Sequence, residues 1–215
     1  MPRELSDLPY ARYLKPLETE PEPDTGYETV HLDGAHFQDV RASGARFEES
    51  AGTGVTFQGG SLRFARFSEV WFRDTRWLGV DLSQTHWMDA EMIDTALSGV
   101  EIFGSGLRRV RFEGCKLDGV NFRDANLQDV QFVDCVLRQP DFIGAKLTRV
   151  GFPGSSIDGM TLHNARLKEV DLRGARALGI SQGIEALRGA IISPPQLMDL
   201  APAFAQTFGI TVRDD

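Results

Sequence analysis

The sequence predicts an all-β solenoid, a rod of short stacked sides closed by a small helical cap, and three observations carry that reading. Every fifth residue from Leu32 to Leu172 is large and apolar except Ala42 and Gly52: twenty-seven of twenty-nine positions, where the chain's 41% hydrophobic content would give about twelve. Two residues before each centre lies a second restricted position, beginning Ala35, Val40, Ala45, Ser50 and Val55, small or β-branched almost throughout. Glycine collects two residues after the centre, as at Gly34, Gly44, Gly54 and Gly59, where a turning chain benefits from a residue without Cβ. Neither an α-helix nor a flat strand brings residues five apart onto one side. A coil of five-residue sides meeting at corners does so, with each coil stacked on the last at about 4.8 Å.

Composition sets the outer limits. With 215 residues, 25% of them charged, the chain is long enough for one large or two small domains and is ordinary for a globular protein. The net charge of −8 argues against an electrostatically driven nucleic-acid binder, which needs a basic face. Two cysteines exclude a disulfide framework, so an apolar core must hold the fold. The first ten residues contain no signal-like apolar run, and no window approaches a membrane span, so the expectation is a cytoplasmic protein without membrane contact.

Three segments follow in order. Residues 1–29 hold half the prolines and an excess of acid over base, seven against three. They read as an arm whose stretch from Tyr10 to Leu17 packs over the first coil as a cap, with a loose acidic tract from Glu18 to Asp24. Residues 30–176 are the repeat. Residues 177–215 leave the register and carry helix signals: Ser193 as N-cap, Pro194 in the first turn and Gln196 completing a capping box. The helix is expected over about 194–208, stopped by Gly209 and kinked or split at Pro202. The runs Ala190 to Ile192 and Ile210 to Val212 are expected to flank it as strands. Leu197, Leu200, Phe204 and Phe208 lie along one stripe that either seals the last coil or meets a second copy of the chain.

The run GCKLDGVNFRDANLQDVQFVDCVLRQPDFIGAKL, with its ANL and AKL triplets, resembles the pentapeptide-repeat family, and the likeness spans about residues 30–176 without an insertion. The resemblance implies a right-handed quadrilateral β-helix with four five-residue sides per coil. Twenty-nine sides then make about seven coils, a rod of roughly 35 Å. From residue 110 onward Phe112, Phe122, Phe132, Phe142 and Phe152 alternate with Leu117, Leu127, Leu137 and Leu147. Opposite sides are ten residues apart, so two opposite sides should be lined by Phe and two by Leu, packed by size. Cys115 and Cys135 fall on one interior column and read as buried free thiols.

The residues offer no catalytic constellation. His31, His36, His86 and His163 fall at outward positions without ligand spacing, and no phosphate-binding loop or nucleophile elbow is present. A core filled by side chains leaves no cavity in which to desolvate a carboxylate pair. The expectation is a non-enzymatic protein with no cofactor and no metal.

Function then rests on the surface. Residues twenty apart stack, so Glu49, Glu69 and Asp89 form one acidic column and Asp74 and Asp94 another. Arg108, Arg109 and Arg111 form a basic spot halfway along. Trp71 and Ile93 are neighbouring apolar residues at outward positions, either a partner patch or a surface covered by the arm. Gyrase-binding members of the family are described as DNA mimics and some dimerise through their C-terminal ends. The resemblance therefore implies a type II topoisomerase such as DNA gyrase as partner, with the protein acting as inhibitor or as protector against a drug or toxin, without direct nucleic-acid contact. A homodimer through the C-terminal stripe is a further expectation. The unbroken repeat departs from the plasmid-borne quinolone-resistance subset, whose rods carry projecting loops. The alternative is an interaction scaffold unrelated to topoisomerases.

Overall fold

A computed structural model describes residues 3–213. Residues 1, 2, 214 and 215 of the predicted end segments lie outside that range. The chain is a right-handed quadrilateral β-helix, and its four sides are numbered here in chain order from Gly26. Face 1 stacks eight parallel strands centred on Tyr27, Phe47, Phe67, Trp87, Leu107, Leu127, Leu147 and Leu167, each pairing with the strand twenty residues on. Face 2 is centred on Leu32, Gly52, Phe72, Met92, Phe112, Phe132, Phe152 and Leu172. Face 3 runs from His36–Gln38 to Ser156–Thr161 in the same parallel register. Face 4 is joined by single-residue bridges from Arg41 to Thr161.

The rod is one side longer at each end than the sequence predicts. Gly26–Glu28 already pairs with Arg46–Glu48, because Tyr27 supplies a centre that stacks on Phe47 at 4.9 Å. At the other end Ala177–Gln182 pairs with Ser156–Thr161 through a shifted register. The result is about eight turns rather than seven.

Every fifth residue from Asp24 to Glu169 has a positive φ, so each corner is left-handed. Glycine accepts this conformation freely, and among other residues Asp and Asn tolerate it best. That backbone requirement explains why corners are filled so often by Gly and Asp.

Inside, the C-terminal half follows the size rule. Phe112, Phe132 and Phe152 stack on face 2 with centroids 4.9 and 5.0 Å apart, and Phe122 stacks on Phe142 at 4.9 Å on the opposite face 4. Leucines line faces 1 and 3. In the N-terminal half the aromatic axis is turned by one side. Phe47, Phe67 and Trp87 stack on face 1, and Phe37, Phe57 and Trp77 on face 3. The opposite faces there carry Leu32, Ala42, Gly52 and Leu62. The change occurs between Trp77 and Phe112, where Leu97, Leu107, Met92 and Ile102 fill the section. Most coils take one opposing pair of large side chains, on either axis; the coil of Phe67 and Trp77 adds Phe72 on face 2, whose ring lies over Gly52, where a Cβ would come within 2.5 Å of it.

Polar groups in this core are satisfied locally. The indoles of Trp77 and Trp87 donate to Thr75 and Thr85, each two residues earlier, at 3.0 and 2.9 Å. Cys115 and Cys135 are buried and unbridged, and burial pushes the Cys115 thiol well above its ordinary pKa.

Both ends are closed. Lys15–Pro16 pairs with Val30–His31, extending face 2, while Leu17 packs on the core. At the C-terminus Ala190–Ile191 pairs with Val170–Asp171, and a single α-helix, α1, spans Pro194–Thr207 with the Ser193–Gln196 capping box formed. Helix α1 continues through Pro202 and is not split there. Leu200 is buried and Phe204 half-buried against the rod end, and Gln196 Nε2 donates to the Leu172 carbonyl at 2.7 Å. Ile210 to Val212 forms no strand, correcting the expected flanking pair; the free edge at Val170–Asp171 is already taken by Ala190–Ile191.

Candidate functional site

Because the interior is filled, chemistry is confined to the outward positions and corners. The corner between faces 1 and 2 holds Glu49, Glu69, Asp89, Arg109, Asp129, Arg149 and Glu169 in one column. Glu49 and Glu69 make no ion pair among the described residues. Asp89 does: Arg109 from the next coil forks onto it with Nε and Nη2 at 2.5 and 2.6 Å. Arg149 holds Asp129 in the same way at 2.5 and 2.9 Å. Each arginine holds its aspartate below the ordinary carboxylate pKa. The open acidic column is therefore two coils long, not three.

The second acidic column, between faces 2 and 3, is shared rather than free. Arg73 lies 3.8 Å from Asp74 and 4.0 Å from Asp94. Glycine follows Asp one coil later at several corners, and a Cβ on Gly114 would come 2.5 Å from Asp94 Oδ1. Half of all carboxylates between residues 30 and 176 stand at corners, where Asp suits the left-handed backbone. The columns thus have a conformational cause independent of any partner.

The basic spot separates into three environments. Arg109 is committed to Asp89, and Arg111 donates to Glu113 at 2.8 Å. Arg108 is exposed on face 1 without an ion pair among the described residues.

Trp71 and Ile93 are brought together, and of the two expectations for them the structure shows cover by the arm, not an exposed partner patch. They are 1% and 2% accessible, packed with Ala51 beneath Leu8 and Tyr10 of the arm. Residues 3–14 turn along face 2 instead of covering only the rod's end, because Trp71 and Ile93 offer an apolar seat. Arg3 reaches Glu91 at 3.2 Å and Glu4 pairs with Arg73, fixing the arm in place. Burial also raises the Tyr10 phenol pKa. The Trp71 indole N–H is buried without a hydrogen-bond partner among the described residues.

In the C-terminal stripe, Leu200 and Phe204 face the rod, while Leu197 and Phe208 are 50% and 71% exposed, beside exposed Met198 and Ile210. No group of three or more His, Cys, Asp or Glu side chains with metal-binding geometry occurs among the described residues. Among the described residues no helix is long and apolar enough to cross a membrane.

Local clustering along the sequence misses one feature that a twenty-residue period reveals. Arg66, Arg108, Lys146, Arg166 and Lys168 all lie on the outer surface of face 1. None of them is near another along the chain except the last two.

The family model described as a pentapeptide repeat region matches residues 85–162 and 105–181, and that described as pentapeptide repeats (8 copies) matches residues 31–68. No curated protein matches the sequence. Among solved structures, a trypsin-treated variant of QnrB1, a plasmid-mediated fluoroquinolone resistance protein, aligns at 17% identity over 93% of this chain and 96% of its own, with a TM-score of 0.41. HetL, a pentapeptide repeat protein involved in heterocyst differentiation regulation from the cyanobacterium Nostoc sp. strain PCC 7120, aligns at 19% identity over 81% and 92%, with a TM-score of 0.38.

Proposed function

The chain belongs to the pentapeptide-repeat family, and on that premise we propose that it is a non-enzymatic rod that works by binding a protein partner along its outer surface. The observation that carries this reading is the filled interior: side chains occupy every coil, so recognition falls to the regularly spaced outer positions. Sheet faces held at a fixed pitch present those positions in a defined order. Such an arrangement favours binding over catalysis.

The finer reading names DNA gyrase, engaged by mimicry of DNA, and it rests on the family resemblance. The unpaired Glu49 and Glu69 support it; the neutralisation of Asp89 by Arg109 narrows it. The cap supports association of two copies, since Leu197 and Phe208 extend an apolar surface beyond the part of α1 that seals the rod. A cytoplasmic location accords with a gyrase partner.

Supercoiling of relaxed plasmid by bacterial gyrase, titrated with the protein in the presence and absence of a fluoroquinolone, tests the gyrase reading. Inhibition or drug rescue at micromolar concentration, lost in Glu49→Lys/Glu69→Lys, is the expected result. An unchanged reaction at high concentration overturns the gyrase assignment and leaves a scaffold for another protein.

A further inference from the structure

We propose that face 1 is a docking surface for an extended acidic protein segment carrying an apolar side chain. The proposal goes beyond the gyrase reading and does not depend on the identity of that partner.

The strip runs over six stacked strands, from Arg66–Ser68 through Arg166–Lys168, in unbroken parallel register. Its outward positions include five cations, Arg66, Arg108, Lys146, Arg166 and Lys168, with His86 between them and no carboxylate. All five cations are exposed, and none has an ion pair among the described residues. Elsewhere arginines and carboxylates are mixed: Arg73, Arg111, Arg123 and Arg173 each reach a carboxylate, while Arg41, Arg76 and Arg138 make no ion pair among the described residues but lie on sides that also carry carboxylates, such as Asp81, Asp118 and Asp158. Of the corner carboxylates beside the strip, Asp89 and Asp129 are held by Arg109 and Arg149, and Glu69, Asp124 and Glu169 stand at its borders without reaching a strip cation. Cations on four of the six strands, spread over about 24 Å at five strand spacings, form a positive strip that a complementary chain can follow.

The strip also has a break in its relief. Gly106 stands where neighbouring coils project His86 and Asn126, and the missing side chain leaves an open groove of about 400 Å³. Phe67, Trp87, Met88 and Leu107 line it together with Arg66 and Arg108. An apolar residue of the bound segment would occupy this groove while flanking carboxylates meet the cations on either side. Specificity then comes from the groove and encounter rate from the charge.

An extended protein chain fits this strip better than a nucleic-acid duplex. One side is only as wide as a three-residue strand, and acidic corners border it at Glu69, Asp124 and Glu169. A duplex broader than the strip would bring phosphates against those carboxylates, and the chain's net charge of −8 opposes its approach.

Fluorescence anisotropy of the full chain with a labelled eleven-residue peptide of glutamates around a central phenylalanine tests the proposal. Saturable binding is expected, weakened about tenfold between low and high salt because exposed charges are screened. Arg66→Glu/Arg108→Glu should abolish it, and the milder Arg66→Gln/Arg108→Gln should weaken it at least about fivefold. Arg41→Glu/Arg138→Glu, on other faces, should leave it within about twofold. Gly106→Gln fills the groove without a positive-φ penalty and should erase the preference for the phenylalanine peptide over an all-glutamate one. Unchanged binding in the face 1 variants overturns the proposal, as does tighter, face 1-dependent binding to a DNA duplex or to phosphatidylserine vesicles. Thermal melts of each variant separate lost contacts from lost folding.

Discussion

Arg109 grips Asp89 across one coil of the rod, and this pair ends an acidic column that otherwise begins at Glu49 and Glu69. Removing the guanidinium re-opens the column without disturbing the corner, because Gln84 and Gln139 already occupy left-handed corners. Arg109→Gln should therefore strengthen binding to gyrase several-fold at low salt if acidic mimicry operates, with the advantage fading as salt rises. The paired side chains are exposed, so its melting temperature should stay within about two degrees of the parent.

The same pairs set an acid limit on stability. Asp89, Asp129 and Asp171 are each held below the ordinary value of 3.8 by an arginine. A depressed folded-state pKa stabilises the fold above the unfolded value, and that contribution is lost as pH falls through the folded one. The melting temperature should be level from about pH 7 to pH 5 and fall below about pH 4. Arg109→Gln/Arg149→Gln should show a smaller fall over the same interval.

Thr75 is required by Trp77 rather than by the backbone. Its hydroxyl accepts the indole N–H at 3.0 Å and also bonds Thr95 Oγ1 at 3.0 Å. Thr75→Val preserves shape but leaves a buried donor without an acceptor, which costs about 1–3 kcal/mol. Urea unfolding should show that loss with an unchanged m-value.

Gly114 carries two constraints at once. Its φ of +65° disfavours a side chain, and Asp94 Oδ1 occupies the space a Cβ would enter. Gly114→Ala should destabilise by about 1–3 kcal/mol from backbone strain and crowding together. Adding Asp94→Gly should recover only the crowding part, which a double-mutant cycle by chemical unfolding would measure.

Much of this architecture is legible in the sequence because the repeat imposes a strict period. The centres from Leu32 to Leu172, the small position before them and the corner glycines each report one constraint of the coil. The Phe and Leu alternation after residue 110 likewise gives the packing of the C-terminal half. The turned axis of the N-terminal half is written in Phe37, Phe47, Phe57 and Phe67, which are ten apart like the phenylalanines after residue 110 but five positions out of step with them. The ends are less legible: Tyr27 keeps the five-residue spacing one side before Leu32, whereas Ala177–Gln182 pairs through a shifted register that the period does not record. The path of the arm is set by contacts between Tyr10 and Trp71, sixty-one positions apart; the apolar outward pair Trp71 and Ile93 signals a covered surface, but no local pattern says that Leu8 and Tyr10 cover it. For the surface, the acidic columns could be located, but their neutralisation depends on which arginine reaches across a coil. The face 1 cations were hidden because their period is twenty.

The most direct test of the account is the equilibrium binding of purified gyrase to the immobilised chain across a salt series, alongside Glu49→Lys/Glu69→Lys. Saturable binding at micromolar concentration or below, weakening with salt and lost in the charge-reversed variant, is expected. Absence of binding at tens of micromolar, or binding that charge reversal does not change, would contradict it.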